Sequence, residues 1–211
     1  MKDINVYSAC DKAIKAMNRE NLEAFTKLKG TRFDGLNVIR TVLNVYTAAK
    51  RTAAKRYYEV AFEAYLLGLA MCDVEPKKAQ KMAENAITEE WIEQILTEPD
   101  FMTLYRFDTE TERKAYRLAE ALEVAQNMEK EIDKALKLWS QQLGQYAINV
   151  TDYAILDAFL DAGVKKVMWV SEKDQRVCGD CYSMDKKVYS IDEIPLKPHP
   201  GCRCRIVPVM E

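Results

Sequence analysis

The chain has 211 residues, with 31 Lys and Arg against 33 Asp and Glu, for a net charge of −2. Hydrophobic residues make up 48% and charged residues 30%, with 7 Gly and 6 Pro; these are globular values and exclude a collagenous or linker-rich chain. The charge balance argues against a protein that coats nucleic acid, so direct DNA contact is not expected. The most apolar run, residues 60–72, contains Glu63 and falls short of the about 20 residues a membrane crossing needs.

The first ten residues, MKDINVYSAC, hold no apolar signal core. A reducing cytoplasm is therefore the expected compartment, and its chemistry favours metal binding over disulfides at clustered cysteines. An N-terminal helix is expected to bury Tyr7, Cys10, Ile14, Met17, Phe25 and Leu28. Leu36, Ile39, Leu43, Tyr46, Lys50, Ala53, Tyr57, Val60, Ala64, Leu67 and Met71 then repeat three and four apart, an a/d stripe broken only by Lys50. Arg40, Lys50, Arg51, Lys55 and Arg56 on or beside this helix read as a solvated face with snorkelling stems, the alternative being contact with an anionic partner. Pro76 suits a first helical turn, and Thr88 with Glu89 and Glu90 restarts a helix that ends near Leu96. Phe101–Phe107 is either a strand or an extended loop.

A second stripe runs Ala115, Leu118, Leu122, Ala125, Glu129, Ile132, Leu136, Trp139, Leu143 and Tyr146, capped at Asp108 or Thr109. Two long helices with matched stripes predict an antiparallel hairpin or bundle, with self-association through the same seam as an option. Thr151 or Asp152 is expected to cap a last helix that ends at Gly163. Composition changes there. Beyond it lie four of the six prolines, a strand over residues 167–170 and a closing strand over 205–209. Residues 165–211 hold nine basic and seven acidic side chains. A mostly α protein follows, with a helical domain over 1–163 and a Cys/His-rich module with short strands over 164–211.

Four of the six cysteines, Cys178, Cys181, Cys202 and Cys204, lie in the last 34 residues beside the only histidine, His199. Cys10 and Cys72 sit in apolar helical contexts and read as small buried hydrophobes. Cys178-Gly-Asp-Cys181 is a CxxC knuckle in which Gly179 is expected to let both sulfurs face one point. His199, Cys202 and Cys204 offer one ligand more than the two a tetrahedral site still needs, so four of the five donors are expected to hold one structural zinc. Disulfides within the tail are the second reading. A thiol- or metal-dependent hydrolase using the same cluster is the third, although no oxyanion hole or orienting partner is visible. The deaminase order is absent, because the histidine follows the CxxC and Gly201 stands where the signature Glu would be. Tyr182–Ser190 is expected to form a hairpin turning at Met184-Asp185-Lys186-Lys187. Asp174 is expected to cap a turn or to pair with Arg176 or Arg203. Arg203 and Arg205 are weak phosphate candidates.

The order Trp169, Asp174, Arg176-Val177-Cys178-x-x-Cys181, then His199-Pro200-x-Cys202-Arg203-Cys204, resembles the phage head-morphogenesis family, the minor head proteins similar to protein F of phage Mu. EPDFMTLYRFDTETERKAYRLAEAL and VTDYAILDAFLDAGVKKVMWV are also similar to that family. The resemblance implies a virion or prohead component, present in few copies, that partners portal or capsid protein and acts in DNA packaging or ejection. It implies no established enzyme activity. Where the family commonly carries a glycine at the hairpin turn, this chain has none.

Overall fold

The computed structural model describes residues 5–33, 37–97, 107–172, 177–199 and 201–209. Seven helices are described: α1 (Ser8–Lys29), α2 (Asn37–Met71), α3 (Pro76–Ala86), α4 (Glu89–Thr97), α5 (Phe107–Val124), α6 (Met128–Asp161) and α7 (Gly179–Met184). Three strands, β1 (Lys166–Val170), β2 (Val188–Ser190) and β3 (Arg205–Pro208), form a small sheet in the order β2-β1-β3, antiparallel throughout. The chain is mostly α with a small sheet at its C-terminal end, as its sequence predicts. No helix among the described residues is long and apolar enough to cross a membrane.

The core is a bundle of α1, α2, α5 and α6 joined by aromatic rings. Phe25 of α1 meets Tyr46 of α2 edge-on at 5.3 Å, and Tyr46 meets Trp139 of α6 at 5.3 Å. Phe107, the first residue of α5, packs on Tyr57, Trp139 and Tyr146. Edge-on and offset ring pairs favour a fixed mutual orientation beyond the area they bury, so the four helices are keyed to one another at this point. The buried Trp139 indole N–H donates to Asn21 Oδ1 at 3.1 Å, and the Asn21 amide donates back to Met17 O, leaving neither polar group stranded.

The two longest helices run parallel. Tyr46 packs on Trp139, the Tyr57 hydroxyl donates to Leu143 O, Gly68 abuts Ala158, and the Tyr65 hydroxyl donates to Asp161, so both sequences climb together. The expected antiparallel pairing fails because α3, α4 and α5 intervene and return the chain to its starting end. α1 and α5 supply the antiparallel partners instead: Tyr7 reaches Asp152 while Lys29 reaches Asp133, and Lys50 of α2 pairs with Asp108 of α5.

Element boundaries follow local chemistry. Glu75 accepts from the Lys78 N–H and Thr88 from the Trp91 N–H, capping α3 and α4. The second stripe is divided between α5 and α6. Asn127 accepts from the Lys130 N–H and starts a new helix, with Glu129 and Glu131 in its first turn. The expected cap at Thr151 or Asp152 does not exist, because α6 runs through both. Thr151 donates to Ala147 O four residues back, a bond a helix interior tolerates. Asp108 lies inside the first turn of α5 and pairs with Lys50, so it does not cap. Gly163 takes φ +78°, the left-handed position after a helix C-terminus. Of Phe101–Phe107 only Phe107 falls among the described residues, and it is helical. Asp174 and Arg176 lie outside them.

The basic residues of α2 are partly satisfied within the chain. Lys50 pairs with Asp108, Arg56 with Glu20 and Glu59, and Arg40 donates to Asn37.

Candidate metal centre

The C-terminal donors are assembled by three local devices. Cys178 is the N-cap of α7, its sulfur accepting the Cys181 N–H at 3.3 Å. One helical turn therefore brings the two knuckle sulfurs to the same side. Gly179 is an ordinary helical residue with open space where a side chain would stand, so the knuckle owes its shape to the helix start and not to glycine. Ser171, just after β1, then holds α7: its hydroxyl donates to Cys181 O at 2.6 Å, and its N–H donates to Asp185 at 2.8 Å. Finally, Gly201 takes φ +72°, and the chain beyond it carries Cys202 and Cys204 towards α7 before entering β3.

Tyr182 belongs to α7, so the expected hairpin starting there is not formed. β2 pairs with β1 instead, Val188 opposite Met168 and Ser190 opposite Lys166. Lys186 takes φ +63°, a left-handed position, in the turn that lacks the family's common glycine. Its N–H donates to Trp169 O.

All five predicted donors converge, as two groups that share Cys181. Cys178, Cys181 and His199 place their ligand atoms within 4.8 Å of one another, and so do Cys181, Cys202 and Cys204. The Cys181 sulfur stands 3.5 Å from the Cys202 sulfur and 4.0 Å from His199 Nε2. Two thiolates on one tetrahedral zinc, each about 2.3 Å from it, sit about 3.8 Å apart; the cluster is at that spacing. A disulfide would need about 2.05 Å, and all six cysteines are free. Cys181, Cys202 and Cys204 are buried with Trp169 in a small core of their own. The donor set of soft sulfurs with one imidazole could hold a metal ion, with Cys181 common to either choice of ligands.

The protonation pattern has clear causes. The Cys181 backbone N–H and then His199 hold the Cys178 thiol below its ordinary value. Hydrogen bonding from Cys202, with the Glu172 N–H and Ser171 adding to it, lowers Cys204 to about 5. Cys202, donating to Cys204 and buried, is pushed up, and burial pushes Cys181 up to about 12.

A polar clamp that the sequence did not reveal surrounds the cluster. Lys197 Nζ contacts the Tyr7 hydroxyl at 2.6 Å, Asp152 Oδ2 at 2.6 Å and Cys202 O at 2.9 Å. Arg203 forms a two-pronged pair with Asp11, one arm at 3.1 Å. Arg205 pairs with Glu172 at 3.6 Å. Both arginines singled out for phosphate are therefore committed to carboxylates, Arg203 to Asp11 and Arg205 to Glu172. Tyr7 and Asp152 lie 145 residues apart in sequence, so no spacing rule could have joined them.

Residues 119–207 match the family described as phage Mu protein F like protein. The match begins within α5 and spans α6 and every donor of the cluster, the Cys/His motif that carries the sequence resemblance included. No curated protein and no solved structure gives a match.

Proposed function

We propose that the chain is a minor head protein of a phage or prophage, a structural component of head assembly that meets portal or capsid protein during DNA packaging or ejection. The observation that carries this reading is the phage Mu protein F like match over residues 119–207. On this reading the chain works in the host cytoplasm during assembly and then in the virion head. Co-expression with the portal and capsid proteins of its own phage tests it. Co-purification with either is expected, and persistent absence from both, and from purified virions, would overturn it.

Within that role, residues 164–211 form a metal-stabilised module carried by a helical domain over 1–163. One zinc is held by Cys178, Cys181, His199 and Cys202. Cys202 is preferred over Cys204 as the fourth ligand because its sulfur approaches Cys181 at 3.5 Å, whereas Cys204 is already served by the Glu172 N–H and Ser171. The metal, when bound, supplies cross-linking between α7 and the chain before β3, and its binding free energy is folding free energy for a module with little apolar core. Cys202→Ser is expected to weaken zinc binding far more than Cys204→Ser in a chelator competition. The reverse order would move the fourth position to Cys204.

A further inference from the structure

The chain that supplies His199, Cys202 and Cys204 also holds down the start of α1. Lys197 and Arg203, which bracket two of these donors, lie over the Tyr7 ring at 5.1 and 5.5 Å from its centre. Tyr7 is 3% exposed, and its hydroxyl donates to Asp152 at 2.7 Å and approaches Cys204 O at 3.3 Å. The Gly201 N–H donates to Gln145 of α6. Two of the acceptors in this clamp, Cys202 O and Cys204 O, are backbone atoms of donor residues. The clamp therefore exists only while these residues keep their course.

Backbone pairing does little to fix that course. Among the described residues no helix or strand lies between Glu193 and Arg205, and within that stretch the backbone bond found is Cys202 N–H to His199 O at 3.3 Å. A metal joining His199 and Cys202 to α7 would supply the missing constraint. The far half of α1 is anchored independently, by Asn21 to Trp139 and Lys29 to Asp133.

We propose that metal occupancy of the cysteine–histidine cluster governs docking of the first turns of α1: with metal bound, Tyr7 and Asp11 are clamped, and on metal loss residues 7–14 detach while the rest of the bundle stays folded. This rests on the metal reading of the cluster. By linkage the coupling is reciprocal, so weakening the clamp weakens metal binding by the same factor.

Hydrogen exchange on the full chain, with zinc and after chelation, tests it, with metal content measured on the same samples. Chelation is expected to speed exchange at residues 11–14 by about tenfold or more, while amides of α2 and of α6 from Leu136 to Tyr146 keep their protection. Tyr7→Ala, which removes the clamped ring without changing charge, is expected to weaken zinc binding by about fivefold or more, as is Asp11→Asn. Tyr182→Ala, on an exposed ring of α7, is expected to leave affinity unchanged. A chain that takes up no metal overturns both the metal reading and the coupling. Metal uptake with unchanged exchange at residues 11–14, or with unchanged affinity in both clamp variants, overturns the coupling alone. Loss of protection throughout α2 and α6 also overturns it, since metal would then stabilise the whole fold and not one contact.

Discussion

Gly68 is where α2 and α6 come closest. A Cβ there would stand 2.7 Å from the Ala158 Cβ and 3.3 Å from Ile155 O, so one added methyl forces two long parallel helices apart. Gly68→Ala is expected to cost about 1–3 kcal/mol, read as a lower midpoint in denaturant. Gly144→Ala is the opposite case. Its Cβ would meet only Ile14 Cδ1 at 3.8 Å, and the gain in helix propensity is expected to stabilise by about 0.5–1 kcal/mol. Both glycines look alike in the sequence, each directly after a leucine of an apolar stripe; the difference lies in a neighbour 90 positions away. The same holds at Asp11. The Arg203 guanidinium holds its carboxyl below the usual range, so the pair contributes stability that is present above the ordinary Asp value of about 3.9 and is lost as pH falls through the lowered native value. Acid unfolding of Arg203→Gln should therefore show less dependence on pH below about 4 than the parent, with the parent the more stable at pH 5–7. Equal pH dependence would remove the pair from the account. The donors themselves were legible, because CxxC and HxxCxC are short-range patterns, whereas the clamp of Tyr7, Asp11, Asp152 and Lys197 was not, because it is built entirely from contacts distant in sequence.

At the scale of elements, apolar periodicity located the helices and failed at their joints. The stripe from Ala115 to Tyr146 keeps its three-four rhythm across Ala125–Asn127, where the chain turns back on itself between α5 and α6. A stripe reports which face is buried and is blind to a reversal that keeps that face inward. The local signal was Asn127, whose side chain caps α6. Asn127→Ala is expected to destabilise by about 1 kcal/mol, with hydrogen exchange rising first at the α6 N-terminus. Along α2 the buried positions drift from the heptad to Val38, Val42, Tyr46, Ala49, Ala53, Tyr57, Val60, Ala64 and Gly68. Ile39, Leu43, Leu67 and Met71 are left only partly buried against the core. A straight α-helix turns every 3.6 residues, so an a/d series slides off its face over several heptads. The parallel course of α2 and α6 was likewise hidden, since matched stripes carry no direction.

For the molecule as a whole, two cores of unequal kind meet at one seam. The helical core is aromatic and large, and folds by burial. The small core around Trp169, Cys181, Cys202 and Cys204 is mostly sulfur, a donor set that could hold a metal ion. The family match spans that seam, from α5 through β3. Chelation should accordingly leave most of the helical circular dichroism intact while removing the near-ultraviolet signal of Trp169. The measurement that tests the central claim most directly is native mass spectrometry of chain purified without chelator, beside a thiol count on the denatured chain. The account predicts one zinc per chain, lost on chelation, and six reactive thiols. No metal would contradict it, and so would a count of two or four thiols.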